Sequence, residues 1–469
     1  MSKQTNILAS TKKEKVFYAL GDVGANMIWS FSSAFLTLYY TDSVGLAAAF
    51  AGTMMLLCRI FDGASDIVMG IIIDKTKARW GKARSWLLFS SVPLALAFLA
   101  AYNVPSNIGT NAKNIYVFVT YFLLSVVCYT ANNIAYHSML PRFSLTSVDR
   151  SIVSVVRTIF NMVALLGINI FTPLLLAKFG GENKQSAWTF ITLIYGGFAV
   201  TALFITFFGV KEKLPVDQGN SEKSKEKSSL KESLKLLIST RYFYIAMMLF
   251  FTFYITGGTQ GIGIYYARDV LGNANLYGLM TLAGILPTLI MMPIIPLLFK
   301  KIGKRNAMMF GLALSIIAYT VLLIDPRNTV LYLCLLAVRS LGTLPTLVAA
   351  FTLAGDIVDY NDMKTGIRSE GITTSVNSIG SKLGTGLGSG LLGWFLAWGN
   401  YNGALKVQPD SAISSMIILA VIVPLFVFIV AFVLLIFWDL DKYSGAVQKY
   451  LEEKQKANEL RQQTREKEE

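Results

Sequence analysis

The chain has a single histidine, three cysteines and little charge: Asp, Glu, Lys and Arg make up 15% of its 469 residues. One histidine leaves no His/Cys/Glu set for a metal, and no nucleophile and base stand together inside the apolar segments, which argues against an intramembrane enzyme. Cys58, Cys128 and Cys334 all fall inside apolar runs, where they act as small apolar residues and not as a disulfide or metal set. The shortage of charge, beside 54% hydrophobic residues, excludes an ordinary soluble domain. No cleavable signal is evident, because the first apolar segment is far longer than a secretory core.

What the chain has instead is apolar length. Runs able to cross a bilayer as helices fall at about 16–41, 46–73, 85–104, 115–141, 151–178, 186–210, 240–267, 274–299, 306–324, 329–355, 370–398 and 412–437. The expected fold is therefore an all-α membrane protein with twelve transmembrane helices. A net charge of +14 is compatible with nucleic-acid binding, but its distribution excludes that reading. With the N-terminus taken as cytoplasmic, 32 of the 42 Lys and Arg residues fall in cytoplasmic segments and 6 on the other side. The remaining four, Arg59, Arg157, Arg339 and Lys382, lie inside spans. The positive-inside rule then places both termini in the cytoplasm, in the cell membrane.

The segment 211–239 is rich in Lys, Glu and Ser and divides six spans from six. The basic stretch Lys300–Arg305 after the eighth span takes the place that 74–84 takes after the second, which predicts two pseudo-symmetric six-helix bundles. The organisation expected is a cytoplasmic tail (1–15), an N-terminal bundle (16–210), a cytoplasmic loop (211–239), a C-terminal bundle (240–437) and a second cytoplasmic tail (438–469).

The chemistry centres on the second span, at Arg59-Ile-Phe-Asp62-Gly-Ala-Ser65-Asp66. Carboxylates four residues apart share a helix face, and each costs roughly 2.5 to 3.5 kcal/mol near the bilayer centre. Such a pair requires a proton, a metal cation or a basic side chain between its members. Arg59, one turn earlier, is the local partner. Lys382, flanked by glycines and about a dozen residues into the eleventh span, also needs an acid, and Asp62 and Asp66 are the deepest available.

Other polar residues punctuate the spans. In Gly21-Asp22-Val-Gly-Ala-Asn26 the readings are a packing seam with an interfacial Asp22, or Asn26 given to a solute. Tyr129 to His137 is too polar to face lipid, and His137 reads as a hydrogen-bonded core residue before it reads as a proton carrier. Arg157 either snorkels to the surface or faces a cavity. The acids around Asp356 and Asp359, with Lys364 and Arg368, form a latch between halves or a solvated turn.

Taken together, Arg59-x-x-Asp62-x-x-x-Asp66, the loop Asp74–Arg84, Asn133-Ile-Ala-Tyr136, Asp356-Ile-Val-Asp359-Tyr360 and Ser375–Lys382 resemble, in order and spacing, the glycoside-pentoside-hexuronide:cation symporters, the group of melibiose permease, within the major facilitator superfamily. The resemblance spans about Tyr18 to Lys442. It implies a cation site of Asp62, Ser65, Asp66, Thr130 and Lys382, with Asp62 and Asp66 holding the metal if sodium is the ion. It also implies a sugar pocket using Asn26, Asn133, Tyr136, His137, Arg157, Asn377 and Ser378, and a cytoplasmic gate of Asp74, Arg79, Asp356, Asp359 and Arg368. Two acids of the family's sugar pocket are amides here, its lysine is absent, its stacking tryptophan is histidine, and the amide of its cation site is Ser65. The loss of two negative charges beside Arg157 points away from an α-galactoside and toward a uronide, xyloside or other glycoside.

The resemblance implies symport of a sugar or glycoside with Na+ or H+ by alternating access, as a monomer, with no cofactor beyond the coupling ion. The rival is a membrane sensor that binds sugar without moving it.

Overall fold

The computed structural model describes residues 10–213, 240–365, 370–443, 445–450 and 453, and among these every regular element is helical. Twelve rods follow one another: α1 Lys12–Leu38, extended by a π-helical turn at Tyr39–Ser43; α2 Ala48–Lys75; α3 Lys82–Ala101; α4 Thr110–Phe143; α5 Ser147–Lys178; α6 Gln185–Gly209; α7 Arg241–Val270; α8 Leu276–Ile302; α9 Lys304–Leu322; α10 Thr329–Thr365; α11 Glu370–Trp398; and α12, 410–436. Nine of these regions contain helices long and apolar enough to cross a membrane. The other three, α1, α2 and α11, are those that carry Asp22 and Asn26, Arg59 with Asp62 and Asp66, and Lys382. The central loop beyond Lys213, Arg368 and most of the second tail lie outside the described residues.

Local chemistry sets the rod ends. At the start of α1 the Thr11 hydroxyl accepts from the Glu14 N–H while the Glu14 carboxylate accepts from the Thr11 N–H at 2.7 Å. This reciprocal cap contributes about 1 kcal/mol. A second device occurs twice. Gly81 and Gly303, at φ of +108° and +82°, turn the chain into α3 and α9 through a conformation that only glycine adopts cheaply. In both places an acid from beyond a later rod caps the new helix: Glu212 accepts from the Ala83 and Arg84 N–H groups, and Asp441 accepts from that of Arg305. In both, an arginine Nε then donates to a carbonyl in the last turns of that later rod, Arg84 to Phe207 and Arg305 to Leu435. The acid meets the positive end of one helix dipole and the guanidinium the negative end of another. The repetition is what a duplicated six-rod unit produces.

Rods α1–α6 pack chiefly on one another, with α1 against α5 and α6 and α3 against α4 and α6. Rods α7–α12 do likewise, with α7 against α11 and α12 and α10 against α8 and α9. The two groups meet along α2–α11 and α5–α8.

Those seams are not uniform along their length. A Cβ on Gly52 would lie 2.8 Å from the Gly390 oxygen, and one on Gly393 would lie 2.3 Å from the Ala48 oxygen, so the backbones of α2 and α11 touch there. Further along α2, a Cβ on Gly63 would meet only the Lys382 stem at 3.7 Å, and one on Gly70 would meet nothing within 4 Å. The rods therefore close at the end away from the chain termini and splay at the terminal end.

Side chains reinforce this. At the closed end Arg268 of the second group pairs with Asp42 of the first at 2.7 Å and with Glu182, while its neighbour Asp269 takes the other side of the guanidinium. Tyr401 donates to Asp42 at 2.7 Å, and Thr41 and Tyr265 share a hydrogen bond of 2.9 Å. Burial in this cluster pushes the Glu182 carboxyl above the usual range. At the terminal end the ion pairs described for Asp74 and Asp356 of the expected gate stay within one group. Asp74 is 3.9 Å from Arg142 of its own group, and Asp356 pairs at 2.6 Å with Lys304 of its own group. Arg79 is exposed without an ion pair among the described residues, and Asp359 lines a separate cavity with Lys304 and Asp356. With the rods parted at this end, Asp74 and Asp356 find partners inside their own group.

Candidate functional site

A cavity of about 390 Å³ opens where the two groups part. Its walls come from α1, α2, α4, α7 and α11. Asp62 and Asp66 share a face of α2 as their spacing requires, and Lys382 reaches them from α11. Its ammonium donates to the Asp62 carbonyl at 2.8 Å, lies 3.5 Å from Asp62 Oδ2 and pairs closely with Asp66. Thr130 of α4 donates to Asp62 Oδ1 at 2.7 Å. Ser65 donates to the Asp62 carbonyl at 3.0 Å and lies 3.3 Å from the Thr130 oxygen. All five predicted cation-site residues thus meet. Four of them supply oxygen, the donor a small hard cation prefers, and the fifth supplies a positive charge that any entering cation must displace.

Arg59 does not play the part expected of it. Its guanidinium lies 3.7 Å from the centre of the Trp29 ring, its Nε is buried without a hydrogen bond, and it forms no ion pair among the described residues. The other partner of Trp29 is Tyr129, stacked at 4.3 Å. The Arg59–Trp29–Tyr129 sandwich holds the arginine by a cation–π contact and turns it away from the acids.

The predicted sugar residues divide. Asn133 and His137 line the cavity. His137 is exposed to it and not a core residue; its Nδ1 lies 3.1 Å from Arg157 Nη1. Arg157 faces inward, its Nε 3.7 Å from the buried Asp22 of α1, so snorkelling does not occur and Asp22 is not interfacial. Asn26 accepts from the Tyr129 hydroxyl at 3.3 Å and does not line the cavity. Tyr136 belongs to the core: it is 1% exposed, stacks on Tyr18 at 4.2 Å, and each of these hydroxyls donates to the other residue's carbonyl. Tyr136 lies about 100° round α4 from its neighbour His137, and that rotation turns it from the cavity to the core. Asn377 and Ser378 lie in α11, with side chains outside those described.

Sequence reasoning missed Trp29, Tyr254, Ser381 and Thr385, all of which line the cavity. Trp29 matters most. No tryptophan stands in α4, and α1 brings one to the cavity wall from an apolar run that gave no signal of it. The Arg268 cluster was also missed, since its members are scattered over loops and rod ends.

This fold and this cavity define a polytopic helical transporter. The model of the MFS/sugar transport protein family matches residues 17–442, and the chain belongs to that family. It is 31% identical to the isoprimeverose transporter of Lactiplantibacillus pentosus, over 94% of this chain and 91% of that one. It is 28% identical to the glucuronide carrier protein homolog of Escherichia coli (strain K12), over 91% and 92%. Among solved structures, the nucleoside transporter NupG superposes with a TM-score of 0.63 at 15% identity, covering 89% of this chain and 99% of that one, a likeness of fold. A further relative, 26% identical over 92% of each chain, is named "Putative glycoside/cation symporter YagG" of Escherichia coli (strain K12), the class that the motifs implied.

Proposed function

We propose that the chain imports a sugar or glycoside together with a monovalent cation across the cell membrane, with all twelve rods spanning, both termini in the cytoplasm and the two six-rod groups as the moving bodies. The observation that carries this reading is the Lys382 ammonium held between Asp62 and Asp66 across the α2–α11 seam. The bond joins the two groups, so whatever displaces it alters how they sit.

A cation entering between the acids cancels their charge and frees Lys382. The sugar face, Trp29, Tyr129, Asn133 and His137, adjoins that site, so a cation that reorders α2 and α4 prepares the ring for the sugar. Coupling of this kind needs only roughly 1 to 3 kcal/mol of mutual preference. With the Arg268 cluster shut and the terminal end parted, the conformation described is the inward-open one. Release on that side restores the Lys382 bridge, and the groups then rock about the central site.

The test is uptake into energised cells and right-side-out vesicles, with a panel of glycosides, with and without sodium at fixed pH and with and without a proton gradient. Asp66→Asn is expected to abolish accumulation while leaving exchange of sugar down its gradient. Accumulation undiminished in that variant overturns the coupling role; binding without movement in the wild type would make the protein a sensor.

A further inference from the structure

The central cavity is balanced in charge: Arg59 and Lys382 line it together with Asp62 and Asp66. A second cavity is not. It measures about 540 Å³ and lies among α5, α7, α8, α9, α10 and α12, with Tyr254 on the wall of both. Arg339 lines it, and no carboxylate does. The Arg339 Nε is buried without a partner, Nη2 donates only to the adjacent Ser340 hydroxyl at 3.3 Å, and no ion pair is formed among the described residues. Two further polar atoms on the same wall are buried and unpartnered, Asn169 Oδ1 of α5 and the Tyr277 hydroxyl of α8. Gln260 and Thr281 complete a polar arc in otherwise apolar surroundings, and Thr281 already accepts from the Asn169 amide at 2.9 Å.

A guanidinium in such a place is costly unless it meets an anion, because no carboxylate lines the cavity to compensate it and its Nε is buried without a partner. Arg339 offers the planar fork that fits a carboxylate or sulfonate through two parallel hydrogen bonds. Tyr277 can donate to the same group, and Asn169 Oδ1 can accept from a sugar hydroxyl. We infer that Arg339, with Tyr277 and Asn169, forms an anion subsite in the second group of rods, and that the transported glycoside carries one acidic group that docks there. The inference rests on the reading of the chain as a glycoside transporter and adds to it the charge of the cargo. The neutral end of the cargo meets Trp29 and Asn133, and the acid reaches past Tyr254 to Arg339.

The experiment measures uptake of 4-nitrophenyl β-D-glucuronide and 4-nitrophenyl β-D-xyloside in proteoliposomes of the full chain, wild type beside Arg339→Gln and Arg339→Lys. Wild type is expected to prefer the glucuronide. Arg339→Gln is expected to lose at least about tenfold in glucuronide uptake, the size of one charge-assisted hydrogen bond, with xyloside uptake within about twofold of wild type. Arg339→Lys, which keeps the charge, is expected to fall between them. An unchanged ratio of the two rates in Arg339→Gln overturns the subsite. Melting of each purified protein with sodium glucuronate, sodium sulfate or xylose separates the sources of the anion. Stabilisation of wild type by glucuronate, lost in Arg339→Gln, supports the inference even if that variant transports nothing; stabilisation by sulfate alone overturns it in favour of an inorganic-ion site. Transport of neither glycoside, nor of any neutral sugar, by wild type fails the transporter reading, whereas transport of neutral sugars with indifference to Arg339 fails only the subsite.

Discussion

Replacing Lys382 with alanine tests the electrostatic core of the mechanism. The ammonium lies 3.5 Å from Asp62 Oδ2 and closer to Asp66. At an effective dielectric of about 20 the first of these attractions alone is about 5 kcal/mol. The lysine side chain is 20% exposed and that of Asp66 is 28%, so solvent reduces the value. A net competition of roughly 2 kcal/mol against an entering cation remains, equivalent to about thirtyfold in affinity. The sign is specific. Lys382→Ala should bind the coupling cation about thirtyfold more tightly than wild type, and should be the less stable protein when no cation is present, because two acids then face each other uncompensated. The assay is thermal melting of the purified protein, titrated with sodium chloride against choline chloride at fixed pH, and then against pH without sodium. The first titration reports sodium coupling and the second reports a proton. Lys382→Arg, which keeps the charge, should restore the wild-type midpoint. Equal cation midpoints in Lys382→Ala and wild type, with equal melting in choline, would refute the view that lysine and cation exchange for one another.

Thr130→Val removes the hydroxyl that donates to Asp62 at 2.7 Å and is expected to weaken apparent cation affinity about tenfold in uptake assays, with Thr130→Ser close to wild type. Gly393→Ala places a methyl 2.3 Å from the Ala48 oxygen, so α2 and α11 must part at the closed end; a loss of roughly 1 to 3 kcal/mol should register as reduced melting of the purified protein. Trp29→Ala removes the ring between Arg59 and Tyr129 and should lower sugar affinity by about tenfold while sparing cation-dependent melting, a split that separates the two subsites. Arg268→Ala unlatches the closed end and should raise labelling, by an impermeant maleimide, of a cysteine introduced at Thr37, which is buried beneath the latch. The same latch is pH-dependent: Glu182 faces Arg268, Asp42 and Asp269, and its carboxyl, raised by burial, gains its proton before an ordinary carboxylate as pH falls. The closed latch, in which that pKa is raised, takes up the proton more readily than an opened one with Glu182 in water. Labelling, referred to an exposed cysteine at Ala404 at the same pH, should therefore fall on acidification, and Glu182→Gln should remove the part of the change that this carboxyl governs.

Much of the architecture was legible without coordinates. A helix long enough to cross a bilayer is a local property of apolar length, and the asymmetry of Lys and Arg between alternate loops is a property of the same one-dimensional string. Four-residue spacing is enough to put Asp62 and Asp66 on one face, and the depth of Lys382 in its span is enough to demand an acid. The motifs in register then pointed to Thr130 and Ser65, and both are where the resemblance implied.

Tertiary structure decided which of two cations answers the acids. Arg59 is three residues from Asp62 yet stacks on Trp29, while Lys382 arrives from 316 residues away in sequence, because the direction each side chain takes depends on how distant rods are rotated and spaced. The same rotation sends Tyr136 into the core, brings Trp29 to the cavity wall and leaves Arg339 in a cavity with no acid. Which end is open is likewise beyond the string: Gly52 against Gly393 and Arg268 against Asp42 are contacts between groups that the chain order keeps apart. The sequence by itself determined how many apolar rods there are and which buried charges must be satisfied, since insertion cost acts residue by residue; what satisfies each charge was decided by packing, which acts between residues that the chain order keeps apart.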